Sequence, residues 1–377
     1  MKIKILGAGP AGLHFAALMK RRDPTHDVTI FERGPRNATW GFGVVFSDRA
    51  LEFLRADDEE LYYILTPHME TWNDIAIVHN DARVPIAGNG FSSIGRLKLL
   101  THLYAHSEKL GVKIEFDTEI TSMAQLGEAD LIVASNGAFS WVRAENVDKL
   151  GTTTNWRPNR FIWYGTSKPF DCLTLTFRNT DMGVFCAHHY RYAPDMSTFL
   201  VEVEDATWHR AGFETMSPEQ TIRTCELAFA KDLDGHPILS NGSYWRQFPM
   251  IWNQNWSFDN VVLIGDALRT AHFSIGSGTR LAMEDAIALS RAFAEKGNDV
   301  KAALDRFKEI RLPPMKKIWD AANTSLQWYE HMDENMNLAP IDFAYSYITR
   351  TGRMTFAEIE RIAPAFAAAY AKFHAPF

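Results

Sequence analysis

The sequence predicts an α/β fold: a Rossmann-like dinucleotide-binding domain, an inserted and mainly antiparallel β-sheet domain, and a helical C-terminal region. Three observations lead to this prediction. A strand, a glycine-rich turn and a helix stand at the start of the chain. Short alternating apolar segments, typical of antiparallel strands, run from Phe161 to Asp205. A second strand, glycine-rich turn and helix follow around Gly265, so the first domain is expected to be discontinuous.

We expect the dinucleotide-binding domain to span 1–155 and 245–300, the inserted substrate domain 156–244, and the helical region 301–377. A chain of 377 residues is long enough to bury such a core. Its net charge of −7 argues against a surface that binds nucleic acid. The three cysteines have no metal-ligand spacing, and no apolar run is long enough to cross a bilayer. We therefore expect a cytoplasmic protein that binds no metal and no membrane.

The N-terminal unit has the spacing of a dinucleotide site. The strand Ile3–Leu6 leads into Gly7-Ala8-Gly9-Pro10-Ala11-Gly12 and then into a helix that ends near Arg22. In such a turn the first glycine permits the tight bend and the second lets a pyrophosphate approach the backbone. The third glycine lets the helix pack closely on the strand.

An acidic residue completes this unit. The second strand, Val28–Phe31, ends at Glu32, twenty residues after Gly12. An acid at this distance binds a free ribose 2′-hydroxyl, which favours FAD or NAD over NADP at this site. The neighbouring Arg33 lies either along the adenine or in solvent.

The other elements are predicted from periodicity, capping signals and breakers. Ser217 to Gln220 form a capping box that opens a helix. Pro313-Pro314 is expected to break a helix. The predicted strands lie at 112–116, 130–135, 161–165, 173–177, 183–190 and 198–203. The predicted helices begin at Leu97, Pro218 and Gly278, and two more run from Met315 to Met332 and from Thr355 to Lys372.

The stretch from Val261 to Gly278 organises the second half of the site. It reads as a buried strand, a tight turn at Gly265-Asp266 and a glycine-rich loop that opens a helix. The free N–H groups at the start of that helix would hold a negative ring or a phosphate. An ordinary glycine loop between a buried strand and a core helix is the alternative.

Three separated motifs resemble those of the single-component FAD-dependent aromatic hydroxylases, which have the 4-hydroxybenzoate hydroxylase-like fold with a glutathione reductase-type FAD domain. The motifs are Gly7–Gly12 with Glu32, Asn136-Gly137, and Gly265-Asp266 with its loop. The resemblance covers nearly the whole chain. It implies FAD as cofactor, NADH or NADPH as co-substrate, and O2 and a small aromatic molecule as substrates.

The resemblance also implies which residues contact FAD. Asp266 would bind the ribityl hydroxyls, and the helix start after Gly278 would face the flavin ring. Asn136 stands where the family has an aspartate, so FAD contact is expected while the mode of NAD(P)H binding is left open. The implied FAD-binding residues are Gly7, Gly9, Pro10, Ala11, Gly12, Glu32, Arg33, Gly43, Val44, Val45, Arg96, Asn136, Gly137, Asp266, Gly276, Gly278, Thr279 and Arg280.

Three further segments resemble a narrower branch of the family. They are Trp163–Ser167, His272–Gly276 and Asn323–Trp328. This branch contains salicylyl-CoA 5-hydroxylase, 2-aminobenzoyl-CoA monooxygenase and the violacein-pathway hydroxylase. The block from Gly265 to Asp285 is most similar to the members that act on CoA thioesters. The implied function is hydroxylation of an aryl-CoA thioester such as salicylyl-CoA at position 5.

In the implied reaction, O2 adds to reduced FAD to form a C4a-hydroperoxide, and an activated aromatic ring attacks its distal oxygen. His272 and Phe273 stand where the family has two prolines over the flavin. His272 is our candidate for accepting a phenol proton or orienting the substrate, and Phe273, Tyr164 and His188 are the other catalytic candidates. A histidine held by backbone in a tight loop is the alternative for His272. Arg269 is expected to pair with a phosphate or with a surface acid.

Two other functions remain open from the sequence. One is hydroxylation of an indole or another free aromatic compound in a biosynthetic pathway. The other is a non-catalytic FAD-fold protein that binds a ligand or a partner. A CoA substrate would need cations for its phosphates, and the available ones are Arg157, Arg160, Lys168 and Arg246. The oligomeric state is expected to be a monomer or a homodimer.

Overall fold

The computed structural model describes residues 1–375. The chain forms two compact units. The first comprises 1–39, 97–156 and 249–320, and the second comprises 40–96, 157–248 and the chain from 321 onward.

The strands in chain order are β1 Lys2–Leu6, β2 Asp27–Phe31, β3 Gly43–Ser47, β4 Glu70–Trp72, β5 Ile75–His79, β6 Ala82–Ile86, β7 Phe91–Gly95, β8 Lys113–Glu115, β9 Leu131–Ala134, β10 Thr152–Thr166, β11 Leu173–Thr180, β12 Gly183–Ala193, β13 Met196–Val203, β14 Ile238–Leu239, β15 Arg246–Asn253, β16 Ser257–Phe258 and β17 Val261–Leu263.

The helices in chain order are α1 Pro10–Arg22, α2 Asp48–Asp57, α3 Glu59–Leu65, α4 Arg96–Lys109, α5 Trp141–Glu145, α6 Val147–Leu150, α7 Asp205–Ala211, α8 Pro218–Ala228, α9 Ala230–Leu233, α10 Gly278–Lys296, α11 Val300–Tyr329, α12 Met332–Asn335, α13 Pro340–Thr349, α14 Phe356–Ile362 and α15 Pro364–Phe373. Short 3₁₀ turns also occur, two of them at Gly265–Ala267 and Phe273–Ile275.

A six-stranded sheet forms the centre of the first unit, in the order β16-β17-β9-β1-β2-β8. The strands from β17 to β8 run parallel, and β16 joins antiparallel at the edge. The central strands are apolar on both faces, as β9 shows with every residue buried. Helices α1 and α10 pack together, with the rings of Phe15 and Phe293 6.4 Å apart. This is the Rossmann-like sheet that the sequence predicts.

The second unit contains a large sheet in the order β14-β10-β13-β12-β11-β5-β6, with β15 paired to β10, and a small sheet β3-β7-β4. Strands β10 to β13 pair antiparallel, which confirms the predicted antiparallel segments between 161 and 203. One face of the large sheet packs under α7 to α9 in a cluster that includes Phe199 and Phe229. The opposite face packs on the C-terminal helices, where Phe177, Tyr329 and Phe343 meet.

The division into units differs from the expected boundaries in two places. Residues 40–96 belong to the second unit because β5 and β6 extend its large sheet and β3, β4 and β7 form its small one. The C-terminal helices from 321 onward belong to it as well, because they cover one face of that sheet, whereas 301–320 belong to the first unit. Pairing between β5 and β11 joins segments far apart in sequence, and no local pattern reveals it.

Helix α11 contradicts the expected break, because it continues through Pro313 and Pro314. A proline inside a helix removes a hydrogen bond and costs about 3 kcal/mol. The helix is held on both sides of the pair, by buried Phe307 and Met315 and by ion pairs of Arg311. The predicted helix from Thr355 is instead two helices, α14 and α15, since Pro364 begins a new one.

The three cysteines are buried free thiols. Within residues 1–375 there is no helix of the length and hydropathy needed to cross a membrane. No cluster of potential metal ligands occurs among those same residues.

Candidate functional site

The predicted cofactor motifs of the first unit lie at one edge of its sheet. Strands β17, β9, β1 and β2 are parallel neighbours, so the turns that follow them meet at the same edge. These turns carry Gly265-Asp266, Asn136-Gly137, Gly7–Gly12 and Glu32, respectively. The structure therefore brings together motifs that are far apart in the sequence.

The glycine-rich turn has the two spatial features that a pyrophosphate site needs. A Cβ atom placed on Gly9 would meet no atom within 4 Å, so the backbone there is open. A Cβ atom on Gly12 would lie 2.5 Å from the carbonyl oxygen of Gly7 and from Ser135 Oγ. Helix α1, which begins at Pro10, therefore packs on the sheet at a distance that only glycine permits.

The carboxylate of Glu32 is fixed beside this turn. Its two oxygens accept hydrogen bonds from the backbone N–H groups of Ala8 and Gly34, each at 2.8 Å. An acid held in this way presents its remaining lone pairs to a ribose at the strand edge. Arg33 is exposed, and its place along the adenine stays a prediction.

Asn136 contributes a buried acceptor at the same edge. Its Oδ1 has no hydrogen-bond partner among the described residues. A buried polar atom without a donor costs about 1–3 kcal/mol, so a cofactor hydroxyl or N–H at this position would satisfy it. The asparagine that replaces the family aspartate is therefore compatible with FAD contact.

Asp266 is exposed, although every other residue from Val261 to His272 is buried. Its neighbour Ala267 accepts a hydrogen bond at 2.9 Å from the buried guanidinium of Arg143. Burial lowers the pKa of Arg143, and the charge of Asp266 opposes that shift. The turn thus presents one carboxylate outward on a rigid base, as expected of a ribityl-binding residue. Arg143 was not identified as a site residue from the sequence.

A buried ion cluster supports the same turn. Arg269 donates to both oxygens of Asp285, at 2.6 and 2.8 Å, and Arg311 donates to Asp285 at 2.8 Å. Asp285 also accepts the backbone N–H of Gly265 at 3.0 Å. The expectation that Arg269 pairs with a phosphate or a surface acid is wrong, because its partner is a fully buried aspartate. The sequence did not reveal this partner, because only folding brings helix α10, which carries Asp285, under the turn at Gly265-Asp266.

The start of α10 offers free N–H groups, as the flavin site requires. The cap residue Ser277 makes no side-chain hydrogen bond to the first turn. Gly276, Gly278 and Thr279 are half-buried there, and Arg280 pairs with Glu284 at 2.7 Å. Uncapped N–H groups at the positive end of a long helix favour a negative ligand.

His272 is almost completely buried, and its ring lies 4.0 Å from that of Phe273. Its Nδ1 accepts a hydrogen bond from the backbone N–H of Ser274 at 3.4 Å. A neutral imidazole that accepts at Nδ1 carries its proton on Nε2, so it presents a donor rather than a base. This geometry favours the orienting role over proton acceptance.

In the second unit, the predicted flavin-adjacent segment Gly43 to Val45 forms strand β3. The hydroxyl of Tyr190 donates to the Gly43 carbonyl oxygen, and the Gly43 N–H donates to Thr198 Oγ1, both at 2.9 Å. Arg96 stands at the head of α4 as expected, and its backbone N–H bonds to the Phe42 carbonyl at 2.7 Å. These backbone contacts hold the segment on the large sheet.

The two catalytic candidates on the sheet lie on opposite faces. Tyr164 is buried in the cluster under α7 to α9, and burial raises the pKa of its hydroxyl. His188 lies on the other face, with its Nε2 3.2 Å from Glu202 Oε2. The strand register therefore separates Tyr164 from His188, and the catalytic role of each stays a prediction.

The cations considered for CoA phosphates already have partners. Arg157 pairs with Glu330 at 2.7 Å, Arg160 with Asp205 at 3.2 Å, and Lys168 with Asp234 at 3.0 Å. Arg246 lies over the ring of Tyr244, 3.9 Å from its centroid.

The open turn at Gly9, the fixed Glu32, the orphaned Asn136 oxygen and the outward Asp266 fit FAD, and they define a flavoprotein. The chain belongs to the family described as FAD binding domain, whose model matches residues 1–322. The family match and the similarity to known hydroxylases show that the chain is an FAD-dependent aromatic-ring monooxygenase that uses NAD(P)H as co-substrate. The non-catalytic alternative is set aside.

Two relatives and one solved structure illustrate the similarity. Salicyloyl-CoA 5-hydroxylase from Streptomyces sp is 39% identical over 93% of this chain and 70% of its own length. Protodeoxyviolaceinate monooxygenase from Chromobacterium violaceum is 33% identical over 93% of this chain and 94% of its own. The structure of 2-methyl-3-hydroxypyridine-5-carboxylic acid oxygenase has a TM-score of 0.71 at 18% identity, covering 95% of each chain, which confirms the expected fold class.

Proposed function

We propose that this monooxygenase hydroxylates the ring of an aryl-CoA thioester, and that salicylyl-CoA, hydroxylated at position 5, is its substrate. The observation that carries the proposal is the 39% identity to a salicyloyl-CoA 5-hydroxylase across 93% of the chain. The alternative is a free aromatic such as an indole in a biosynthetic pathway, because a violacein-pathway enzyme is 33% identical over a similar span.

FAD, when bound, supplies the redox chemistry: it takes a hydride from NAD(P)H and activates O2. The described residues supply binding and orientation. Glu32 and Asp266 hold the cofactor's hydroxyls, and the uncapped start of α10 stabilises negative charge on the ring. His272, which is buried in the loop that follows Asp266, is our candidate for orienting the substrate.

The substrate's CoA moiety has no obvious cationic pocket among the side chains considered, since each of them has a partner. We therefore propose that the enzyme recognises the thioester chiefly by its aromatic acyl group. Any of these cations that binds a CoA phosphate has to give up its present carboxylate partner. We further propose that the protein is cytoplasmic and is a monomer or a homodimer. Its molar mass in solution distinguishes these two oligomeric states.

The test is substrate-stimulated oxidation of NADH and NADPH, with O2 uptake, by the FAD-loaded protein. Salicylyl-CoA, 2-aminobenzoyl-CoA, the two free acids and tryptophan are compared at equal concentration. We expect salicylyl-CoA to give the fastest oxidation and a product heavier by one oxygen atom. Stimulation by a free acid or an indole, and by neither thioester, would overturn the proposal in favour of the alternative.

A further inference from the structure

A cavity of about 380 Å³ lies within the second unit, on the face of the large sheet that packs under α7 to α9. Its floor is formed by the neighbouring strands β5, β11 and β12, through side chains that include Val78, Thr176 and His189. Successive side chains of a strand point to opposite faces, so His189 and Tyr190 lie on opposite sides of the sheet. Tyr190 binds the carbonyl oxygen of Gly43. The cavity is therefore separate from the flavin-adjacent segment.

The side chains around this cavity are mostly polar and charged. Of its thirteen lining residues, three are apolar and four are cationic. The cationic ones are Arg83, Lys168, Arg178 and Lys231. A pocket for an aromatic ring is lined chiefly by apolar side chains. This cavity is therefore suited to a strongly polar ligand and not to a second molecule of an aromatic substrate.

One of the four cations is held firmly at the base of the cavity. Arg178 donates to both carboxylate oxygens of Asp232, at 2.8 and 3.0 Å, and both side chains are mostly buried. A buried bidentate pair of this kind is fixed by its geometry. Arg178 therefore shapes the cavity and is not available to exchange its partner.

The other three cations are held loosely at the rim. Their carboxylate partners have side chains that are between 67% and 75% exposed. The pairs are Arg83 with Asp171, Lys168 with Asp234, and Lys231 with Asp81. Ion pairs in which the carboxylate is this exposed contribute little to stability. Each cation can therefore turn to an anion in the cavity at small cost.

A buried histidine nitrogen is an independent sign of a ligand. His189 is 2% exposed, and its Nδ1 has no hydrogen-bond partner among the described residues. Its Nε2 lies 2.9 Å from Thr176 Oγ1, and its ring packs on Phe170 with centroids 3.8 Å apart. Burial lowers the pKa of His189 well below its usual range, and Arg83 is the largest of the charges that add to the shift. The ring is therefore neutral at pH 7, and Nδ1 needs a partner.

A phosphate group matches both the rim and the floor. When the Thr176 hydroxyl donates to Nε2, the neutral ring of His189 carries its proton on Nδ1 and offers a donor to an anionic oxygen. Arginine binds phosphate through paired N–H groups, and lysine binds it as a point charge. A dianionic phosphate can use several of the rim cations at once, whereas a carboxylate carries a single charge.

We propose that this cavity binds the phosphate group of a small phosphorylated molecule. In the complex, His189 Nδ1 donates to a phosphate oxygen, and Arg83, Lys168 and Lys231 turn toward it from their exposed carboxylates. The inference goes beyond the proposed function and does not depend on which aromatic ring is hydroxylated. Free phosphorylated metabolites and the phosphates of CoA share this chemistry.

The binding test uses the FAD-loaded protein in phosphate-free buffer. Inorganic phosphate, CoA and dephospho-CoA are titrated by calorimetry, and the ring nitrogens of ¹⁵N-labelled histidines are followed by NMR. The signal of His189 is identified as the one that is absent from His189→Phe. We expect this signal to shift until it saturates. Tighter binding of CoA than of dephospho-CoA would identify CoA as the source of the phosphate, and equal binding of the two would indicate another phosphorylated molecule.

Two variants should change the dissociation constant in opposite directions. Lys231→Gln should weaken binding about tenfold, because a hydrogen bond to a charged group is lost. Asp171→Asn should tighten binding about two- to fivefold, because it releases Arg83 from an exposed ion pair. The asparagine oxygen can still accept the Cys172 N–H that Asp171 accepts at 3.0 Å, so the loop is preserved. A merely structural role of these pairs does not predict tighter binding.

Arg223→Gln is the matched control. Arg223 lies on α8, is 70% exposed and pairs with Glu226 at 3.8 Å, outside the residues that line the cavity. It removes the same charge as Lys231→Gln and should leave binding unchanged. Equal weakening in the two variants would overturn the proposal, and so would an unshifted His189 signal with all three probes. Hydroxylation is not measured in this test, so a negative result would leave the proposed function intact.

Discussion

Asp285 in the first unit and Glu202 in the second are both fully buried carboxylates, and their partners differ in kind. Asp285 lies between the guanidinium groups of Arg269 and Arg311 and accepts the Gly265 N–H. Glu202 is contacted by the amide of Asn159 and the imidazole of His188. Guanidinium keeps its proton in proteins, whereas imidazole exchanges one near neutral pH.

The difference teaches what each carboxylate can do. A carboxylate between fixed cations forms a permanent electrostatic clamp, here beneath the turn that presents Asp266. A carboxylate against an amide and an imidazole holds these two side chains in one orientation. Removing the first should therefore affect folding and cofactor retention, because it leaves two guanidinium groups buried without their shared partner. The three predictions that follow concern three carboxylates, from the largest expected effect to the smallest.

The largest effect is expected from Asp285→Ala. It leaves Arg269 and Arg311 buried without their shared partner, and breaking a buried ion pair costs about 3–5 kcal/mol. The free energy of unfolding, measured with urea on the FAD-free protein, should fall by that amount, and FAD should bind more weakly. The matched control is Asp305→Ala, whose partner Lys301 is exposed and whose effect should stay within about 0.5 kcal/mol. Equal losses in the two variants would contradict the clamp.

A smaller effect is expected from Glu32→Ala, whose carboxylate is held by backbone N–H groups and a predicted ribose. Hydrogen bonds to a charged group contribute about 1.5–3 kcal/mol each, so FAD affinity should fall roughly ten- to hundredfold. The measurement is the dissociation constant from quenching of flavin fluorescence.

Glu115→Ala provides the control for Glu32. Glu115 ends the neighbouring strand β8 and pairs with exposed Lys113 at 2.5 Å, so its removal should leave FAD affinity within twofold. A comparable loss in both variants would place the ribose elsewhere.

The smallest effect concerns Glu204, two residues after Glu202, which accepts a hydrogen bond from the Asp333 N–H at 3.1 Å. Burial raises its pKa to about 7, with the nearby charge of Asp333 adding to the shift. A raised pKa in the folded state means that this contribution to stability is present at low pH and is lost as pH rises through about 7.

Glu204→Gln removes this loss of stability at high pH, because the amide of glutamine does not ionise. Relative to wild type, the variant should therefore gain on the order of 1–2 kcal/mol of unfolding free energy between pH 5 and pH 8. Chemical denaturation at both pH values measures it. The exposed Glu214→Gln serves as the control and should show no such gain. A gain that is absent, or largest at pH 5, would contradict the raised pKa.

Much of the first unit was predictable because its signals are local. The turn Gly7–Gly12, the acid at Glu32 and the strand before Asp266 each follow from a few adjacent residues, and all are found where expected. The partner of Arg269 was not predictable in this way. Asp285 lies 16 residues further along the chain, in helix α10. Only the packing of α10 under the turn brings it into contact with Arg269.

The second unit was predictable as a set of antiparallel strands but not as a site. Alternation within one strand shows which residues share a face, and it does not show how neighbouring strands are aligned. The register alone decides that His188 joins Glu202 and that Tyr164 lies on the opposite face. In the same way, burial around Phe307 and Met315 lets α11 continue through two prolines that predict a break.

The sequence by itself determined the cofactor class and the fold class, because glycine spacing, strand ends and helix starts are properties of short segments. The tertiary structure decided which buried charges meet: Arg269 with Asp285, and His188 with Glu202. The physical reason is that a buried charge needs a partner at contact distance, and contact distance between remote segments is created only by folding.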